Sequence, residues 1–200
     1  MHGNIYEIAL QNEYGFGYVQ VVITSELGLA GHVLIRTLDY FSDTPYKGEL
    51  SFFATVDELA YPSFSLALPA TRGKSKWRLI GNVNVPQGYR VPKCKFDPTT
   101  RSWESPDWDK ISWYVITNLV ANGLDGGYTH SQVKHLPFWK HCSQENFKIK
   151  LTMFWMKKQR RRIEDYFNIA ESYHYSCLYY EVSNTVFYAD IDNDARGVPI

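Results

Sequence analysis

The chain has 200 residues, 44% hydrophobic and 21% charged, so it is long enough to bury a core and too apolar to be disordered as a whole. Lysine and arginine (21) balance aspartate and glutamate (21), which excludes a protein-wide basic field for holding nucleic acid. Aromatic residues are abundant, with 15 Tyr, 11 Phe and 6 Trp. This composition favours β-sheets and protein interfaces.

Three cysteines, Cys94, Cys142 and Cys177, are widely separated, and no CxxC motif is present. An odd and sparse set predicts a reducing compartment and no disulfide framework. The N-terminal residues lack the pattern of a secretory signal, and no apolar run approaches the roughly 18 residues of a membrane-spanning helix. We therefore expect a cytoplasmic protein with no membrane partner.

The first 40 residues predict three strands, over residues 4–10, 17–24 and 31–38. Apolar and polar side chains alternate in them with the period of a sheet that has a buried face. Residues 11–15 form a turn between the first two strands. Gly15 and Gly17 flank Phe16, and glycines at such positions predict a bulge or bend of the kind that small barrels use.

The next elements predict a short helix and a further strand. Thr55 and Glu58 have the spacing of a capping box, which indicates a helix start. Residues 77–85 predict a strand. Residues 86–106 are rich in proline and turn residues, and they indicate a boundary or a long surface connection.

A helix is predicted after Ser105 and Pro106, because this pair suits a cap followed by the first helical turn. Apolar residues then follow at helical spacing: Trp108, Ile111, Val115 and Leu119. Residues 129–139 predict a second, short helix. Residues 147–156 alternate as in a strand, yet Ser143 and Glu145 suit a helix start, so we favour a helix that continues to Tyr166 or beyond.

Residues 173–182 and 185–191 are aromatic and β-branched, and they predict a closing β-hairpin. Together the elements predict an α+β protein. Its N-terminal half, residues 1–104, would hold an antiparallel, strongly bent sheet or small barrel. Residues 105–200 would add helices and the closing hairpin, packed on the first region as one structural unit.

Two clusters suggest metal binding and then fail on spacing. His130, His135, His141 and Cys142 match no known zinc pattern, so we favour partly exposed histidines near a turn. The segment from residue 190 to 194 resembles the start of a calcium loop, but Ala195 stands where that loop needs glycine. We expect no metal and no cofactor.

The same acidic segment, Asp190, Asp192 and Asp194, is predicted to be exposed and able to dock a basic partner. The only strong basic run contains Lys157, Lys158, Arg160 and Arg161. Such a run can contact phosphates or carboxylates of a partner. Acidic residues follow it directly, so a solvated helix face is the simpler interpretation.

Motifs for several common catalytic sites are absent, including GxSxG, HExxH and a phosphate-binding glycine loop. We therefore predict a binding protein and not an enzyme. An enzyme with an unrecognised cleft near residues 130–142 remains an alternative, because catalytic groups are defined by geometry and not by order in the chain.

The opening segment Gly3-Asn-Ile-Tyr-Glu-Ile-Ala-Leu, followed by Tyr14-Gly-Phe-Gly-Tyr-Val, resembles the start of the immunity protein 26 family. Those proteins are antidotes in bacterial polymorphic-toxin and contact-dependent growth inhibition systems. The later segment Lys76-Trp77-Arg-Leu-Ile-Gly-Asn, with Pro86 and Pro92 downstream, also resembles this family. The resemblance covers the first half of the chain only.

The resemblance implies a protein that binds a cognate toxin domain and neutralises it without turnover. It supplies fold determinants, a bend at Gly15 and Gly17 and a core position at Trp77, and no catalytic residues. The candidate toxin contacts are the two exposed charged segments: Asp190, Asp192, Asp194, Lys157, Lys158, Arg160 and Arg161. A nucleic-acid-binding small barrel, a class for which the neutral charge is unfavourable, is the alternative.

Overall fold

The computed structural model describes residues 2–23, 33–65, 76–91, 93–96, 112–118, 123–136, 142–192, 196 and 198–199. These residues form ten strands: β1 (Asn4–Ala9), β2 (Phe16–Ile23), β3 (Val33–Ser42), β4 (Glu58–Ser65), β5 (Arg78–Asn82), β6 (Arg90–Val91), β7 (Cys94–Phe96), β8 (Trp113–Asn118), β9 (Gly123–Tyr128) and β10 (Val198–Pro199). They also form three helices: α1 (His130–Val133), α2 (Gln144–Lys158) and α3 (Tyr173–Asn184).

Five antiparallel strands form the main sheet, in the spatial order β4-β3-β2-β1-β5. The strands predicted over residues 4–10, 17–24, 31–38 and 77–85 are confirmed as β1, β2, β3 and β5, although β5 is shorter than predicted because residues 77 and 83–85 lie outside it. A smaller sheet has the order β7-β8-β9, and β10 pairs with β6. The α+β class is therefore confirmed, whereas the five strands do not close into the predicted barrel, because β4 and β5 stand at the two edges.

Both faces of the main sheet pack against apolar clusters, because successive residues of β1, β2 and β3 face opposite sides and apolar residues occur on both sides. On one face, Tyr6, Ile8 and Val19 join the core that includes α2. On the other face, Ile5 and Tyr18 pack in a second cluster, together with Phe53 from a 3-10 turn at Leu50–Ala54. The sheet thus separates two cores, and strands β1, β2 and β3 contribute to both.

The ambiguous segment 147–156 is helical and forms the centre of α2. The Ser143 hydroxyl accepts a hydrogen bond from the Asn146 amide at 3.2 Å, which caps the start of the helix. Eight of its residues are buried, from Phe147 to Met156. The pattern of apolar residues was ambiguous because α2 is buried on several sides. It therefore lacks the single apolar stripe of a surface helix.

The prediction that this helix continues to Tyr166 is wrong. The helix ends at Lys158 with Gln159 as its cap, and Arg160 has a φ of 55°. A residue in this left-handed conformation ends a helix, because the following backbone turns away from the axis. A separate 3-10 turn follows at Ile163–Asp165.

The helix predicted to begin near Thr55 is also wrong, because strand β4 begins at Glu58. The Thr55 hydroxyl donates to the Phe52 carbonyl at 2.9 Å and so completes the preceding 3-10 turn. Pairing with β3 determines the conformation of the residues that follow.

The helix predicted from residue 105 to its end at Asn122 and Gly123 falls partly outside the described residues. Within them, residues 113–118 form strand β8, which contradicts the helix there. Trp113 and Val115 are buried on either side of the half-buried Tyr114, so the period of burial is two. Pairing with both β7 and β9 stabilises the extended form.

The predicted closing hairpin over residues 173–191 is wrong, because residues 173–184 form helix α3. The Ser172 hydroxyl accepts from the Tyr175 amide at 3.3 Å and caps the helix. The buried residues Leu178, Glu181 and Val182 have helical spacing and lie against α2. A 3-10 turn at Tyr188–Asp190 then contacts the edge of β4.

The short helix predicted over residues 129–139 is confirmed at α1. Thr129 and Gln132 form a capping box at its N-terminus. Residues 137–139 lie outside the described residues. So does the predicted region boundary at residue 104, and the division into two regions stays a prediction.

Candidate functional sites

The basic run at the end of α2 divides into an inward and an outward part. Lys157 extends beneath the end of α3 and donates from Nζ to three carbonyl oxygens, those of Val182 at 2.9 Å, Ser183 at 3.2 Å and Thr185 at 2.6 Å. Burial lowers the pKa of Lys157. Its ammonium group binds carbonyls at the C-terminal end of α3, of which that of Val182 also accepts a hydrogen bond from the Thr185 amide at 3.3 Å, so Lys157 is a structural residue and not a partner contact.

Replacing Lys157 with methionine is expected to lower the free energy of unfolding by about 1–3 kcal/mol, because the end of α3 loses three charge-assisted hydrogen bonds. Urea denaturation followed by tryptophan fluorescence measures the loss. The matched control is Lys158→Met, since Lys158 forms an ion pair with Asp39 that is partly exposed on both sides. The control is expected to cost less than about 1 kcal/mol. Equal losses in the two variants would contradict the capping role.

Arg160 occupies the position that most often carries glycine at the end of a helix. Its amide donates to the Lys157 carbonyl at 3.1 Å, and the Arg161 amide donates to the Met156 carbonyl at 2.9 Å. This pair of bonds defines a Schellman ending. Arginine at this left-handed position is strained relative to glycine, because its Cβ crowds the backbone.

The outward part of the run lies against aromatic rings. We name Tyr14, Trp155, Arg161 and Tyr166 the Arg–aromatic surface. The rings of Tyr14 and Trp155 are stacked with centroids 4.7 Å apart, and the Arg161 guanidinium carbon lies 4.8 Å from the Trp155 centroid. Tyr166, which is 45% exposed, packs edge-on against Tyr14 at 5.4 Å. Tyr14 comes from the turn between β1 and β2, so this turn and the end of α2 build one surface.

The acidic candidates lie near the edge of β4. Asp190 ends the 3-10 turn, Asp192 is exposed two residues further on, and Asp194 lies outside the described residues. Asp190 lines a cavity of about 220 Å³ together with Lys158 and Asp39. The structure therefore brings Lys158 and Asp190 to one cavity, whereas Arg161 contacts the aromatic rings.

A larger cavity of about 520 Å³ lies beside this one, and sequence reasoning missed it. We name it the polar cavity. Its buried side is formed by Arg36, which donates from Nη1 to Gln20 Oε1 at 3.1 Å and from Nη2 to the Val56 carbonyl at 2.9 Å. Glu58 lies beside Arg36, and the Tyr89 hydroxyl donates to Glu58 Oε1 at 3.2 Å. The available signal was Arg36 itself, a charged residue that directly follows the apolar run Val33–Ile35 in β3.

Electrostatics in the polar cavity favour a neutral Glu58. Burial raises the pKa of Glu58 to about 8, against the opposite effect of Arg36 and Tyr89. Arg36 Nε lies 3.6 Å from Glu58 Oε2, which is long for a charge-assisted hydrogen bond. The ion pair therefore offsets only part of the loss of hydration, which leaves the pKa of Glu58 raised.

A second buried carboxylate, Glu7 on β1, was also missed. Arg78 binds it with two hydrogen bonds, of 2.6 and 2.7 Å. The Tyr46 amide donates to it at 2.7 Å, and the Tyr18 hydroxyl does so at 3.0 Å. A glutamate between Tyr6 and Ile8 has the pattern of a solvent-facing strand position, so the sequence contained no signal of its burial. Four donors fill its acceptor sites, so this group joins β1, β2, β5 and the Tyr46 loop.

The glycines and the tryptophan of the opening motifs have structural positions. Gly15 has a φ of 93°, and a Cβ there would lie 2.3 Å from the Ser42 carbonyl oxygen. A Cβ on Gly17 would lie 2.7 Å from a methyl carbon of Leu151, so Gly17 lets α2 approach the sheet. Trp77 is buried between Tyr6 and Phe147. These residues shape the fold, as the sequence interpretation predicts.

The histidine and cysteine cluster is dispersed. His130 packs against the Trp113 ring at 5.5 Å, half-buried His135 lines a surface cavity with Lys93, and Cys142 is buried in the main core. His141 lies outside the described residues. In the part of the chain that the structure describes, no group of three or more His, Cys, Asp or Glu is placed to bind a metal ion.

None of the helices in the described ranges combines the length and the apolar composition needed to cross a membrane.

Comparisons with known proteins identify no relative. No family model, curated protein or solved structure shows a match to this chain.

Proposed function

We propose that this protein is an immunity protein that binds a bacterial toxin domain and neutralises it through a protein–protein complex. The likeness of its first half to the immunity protein 26 family supports this role. We assign the contact to the Arg–aromatic surface and to Arg160 beside it. The cytoplasm, where a reducing environment suits three widely separated cysteines, is the compartment we propose.

The residue types of this surface support a protein partner. Tyrosine and arginine are among the residues that most often dominate the binding energy of interfaces, and the buried Trp155 ring supports them from below. Arg161 is already held over two rings, at 4.8 and 5.6 Å from their centroids. A side chain that is ordered before binding loses less entropy on association, so it contributes more to affinity.

The observation that carries the proposal is the identity of residue 160. Its φ of 55° favours glycine, yet an exposed arginine is present. Strain of this kind persists at functional sites when the side chain has a use that offsets it. We infer that the Arg160 guanidinium is retained because it contacts the partner.

The partner surface should be acidic. Arg160, Arg161 and Arg162 are exposed in succession, and the nearest ion pair, from Arg162 to Asp165, is long at 3.8 Å and open to water. Weakly paired guanidinium groups bind carboxylates in bidentate fashion. Lys157 no longer belongs to the candidate contacts, whereas Asp190 and Asp192 remain a separate and weaker candidate.

The test is co-expression with the toxin domain encoded beside this gene. The wild-type protein should protect the cell and co-purify with the toxin domain. The variant Arg160→Gly should weaken the complex by about tenfold and, because it relieves the left-handed strain, stabilise the free protein by about 0.5–1 kcal/mol. Arg161→Ala should weaken the complex without a comparable gain in stability.

Lys76→Ala is the matched control, since Lys76 is an exposed cation in a different part of the chain, just before β5. It should leave both affinity and protection unchanged. Failure of the wild-type protein to protect or to co-purify would overturn the proposed function. Protection with undiminished affinity in Arg160→Gly would retain the function and reject this surface.

Nucleic-acid binding is the second candidate, because an arginine stacked on aromatic rings is also a feature of single-strand binding surfaces. It predicts an affinity that falls steeply with salt concentration. Titration of a labelled oligonucleotide at two salt concentrations separates the candidates. Absence of binding at low salt would contradict nucleic-acid binding.

A further inference from the structure

A further cavity lies against the small sheet, and we name it the small-sheet cavity. Its volume of about 180 Å³ is below the range of pockets for drug-sized ligands, so that it suits only a small one. Val115 on β8, Val133 on α1 and Leu136 form its apolar side, and all three belong to one buried cluster. The Tyr128 ring packs against the same cluster. A packed core therefore fixes the apolar side of the cavity.

The polar side of this cavity carries positive charge without a matching carboxylate. Lys93 and His135 line it, and within the described part of the chain no aspartate or glutamate does. Lys93 is exposed and forms no ion pair with a described residue. In the polar cavity, by contrast, three carboxyl groups accompany three guanidinium groups. The small-sheet cavity is thus the one whose charges favour an anion.

His135 is a half-buried donor without a partner. Its imidazole has no hydrogen bond to any residue that the structure describes. Burial, followed by the charges of Lys95 and Lys134, lowers the pKa of His135. Lys95 is buried behind it, with its Nζ donating to the Lys134 carbonyl at 2.8 Å. An imidazole close to two lysines is a position at which a bound anion is stabilised.

Two carboxylates lie close to the groups around the cavity, and both have partners of their own. Asp125 on β9 accepts a hydrogen bond from the Tyr128 hydroxyl. Glu181 on α3, buried on the far side of the small sheet, forms an ion pair with Lys150 at 2.9 Å. Neither of them lines the cavity, so they offset its positive charge only in part.

Gln132 adds an amide donor that is held in place. Its Oε1 accepts from the Thr129 amide at 2.8 Å and from the Thr129 hydroxyl at 3.0 Å. These bonds orient the side chain and leave its Nε2 without an acceptor among the described residues. A donor that is ordered before binding loses less entropy when the ligand arrives.

We infer that the small-sheet cavity binds a small organic carboxylate, with Lys93, His135 and Gln132 as donors to its oxygens. The apolar side of the cavity contacts the rest of the ligand. Lys93 supplies one ammonium group, which matches the single charge of a carboxylate better than the nearly double charge of a phosphate ester. This site is distinct from the Arg–aromatic surface, and the inference does not depend on toxin binding.

An NMR titration of the isotopically labelled full chain at constant ionic strength tests the inference. The probes are butyrate and benzoate, with their neutral amides, butyramide and benzamide, as control ligands. At least one carboxylate should bind saturably and shift the backbone amide signals of residues 128–136. Its amide should bind about tenfold more weakly, and so should inorganic phosphate. No saturable binding of either carboxylate, equal affinity for the amide, or tighter binding of phosphate would overturn the inference.

The pH dependence of this binding has a definite direction. A bound anion favours the protonated imidazole, so the affinity should rise by about tenfold as the pH falls from 8 to 5.5. His135→Gln should show a smaller rise. Burial lowers the pKa of Lys95 to about 7, so the variant retains the part of the rise that Lys95 contributes. An equal rise in the variant and the wild type would contradict the inference.

Lys93→Met should weaken the binding by about fivefold, the loss of one charge-assisted contact that is open to water. Lys47→Met is the matched control, since Lys47 is an exposed cation in the loop after β3, away from the small sheet. It should leave the affinity unchanged. Thermal unfolding of each variant establishes that it is folded. Equal affinity in Lys93→Met and the wild type would also overturn the inference.

Discussion

Arg78→Met is expected to lower the free energy of unfolding by about 2–4 kcal/mol at pH 7, because it leaves the Glu7 carboxylate buried without its cation. Glu7 is 3% exposed, and two of its four hydrogen bonds come from Arg78. The Arg78 side chain is 50% exposed, so the loss should be smaller than for a pair buried on both sides. Urea unfolding followed by tryptophan fluorescence measures it.

The pH dependence of this loss has a definite sign. Burial by itself raises the pKa of Glu7, but the hydrogen bonds from Arg78, the Tyr46 amide and Tyr18 together lower it below its ordinary value. In the wild type this stabilisation is present above the unfolded pKa and is lost as pH falls through the lower folded pKa. In Arg78→Met, burial should raise the pKa of Glu7, so the carboxylate takes up a proton at a higher pH. The deficit of the variant should therefore shrink as the pH falls from 7 to 4.

Two further variants separate the buried charge from other effects. The double variant Glu7→Gln/Arg78→Met removes both charges and should be more stable than Arg78→Met alone. Arg162→Met is the exposed control, and its pair with Asp165 should contribute less than about 0.5 kcal/mol. A deficit of Arg78→Met that is the same at pH 4 and pH 7 would contradict the explanation.

Glu58→Gln is expected to be more stable than the wild type at pH 9 by about 2–4 kcal/mol and nearly equal to it at pH 5. Burial raises the pKa of Glu58 from 4.5 to about 8, and glutamine reproduces the shape of the protonated acid. The stabilising contribution of the wild-type group is fully present below pH 4.5 and is lost as pH rises through about 8. The variant does not titrate at this position, so the difference between the two proteins grows with pH.

Unfolding free energies of both proteins at several pH values between 5 and 9 provide the measurement. Taking the difference at each pH removes the contributions of other titrating groups, including Lys95, whose pKa burial lowers to about 7. A constant destabilisation of Glu58→Gln across this range would mean that Glu58 is ionised and paired with Arg36 throughout.

Elements with one consistent pattern were predictable from the sequence. Apolar and polar residues alternate along β1, β2 and β3, and this period of two fits a strand with one buried face better than it fits a helix. The capped start of α2 at Ser143 was equally local, because the hydroxyl bonds an amide three residues away. These features depend on neighbours in the chain, which the sequence contains.

The secondary structure of aromatic segments was harder to predict, because their pattern fits both a strand and a helix. Residues 173–184 are rich in tyrosine, which favours strands. Packing against α2 selected the helix, since burial of Leu178 and Val182 requires the helical spacing. Residues 113–118 show the reverse case, because strand neighbours on both sides override an apparent helical period.

The sequence indicated which charged residues could contact a partner, but only the tertiary structure showed how each of them is placed. The sequence shows a basic run, but it does not show that Lys157 lies under α3 while Arg161 stacks on Trp155. A helix of 3.6 residues per turn directs successive side chains to different neighbours, and those neighbours come from distant parts of the chain.

The amino-acid sequence by itself determined an α+β protein with an aromatic opening hairpin, glycines that bend it and a tryptophan that fills its core. Only the tertiary structure revealed the polar cavity, because Arg36, Glu58, Tyr89 and Arg196 come from separate segments of the chain. Only it showed that arginine occupies a left-handed helix ending. Local patterns fix local conformation, whereas burial, pKa and the positions of charges depend on contacts that form when distant segments pack together.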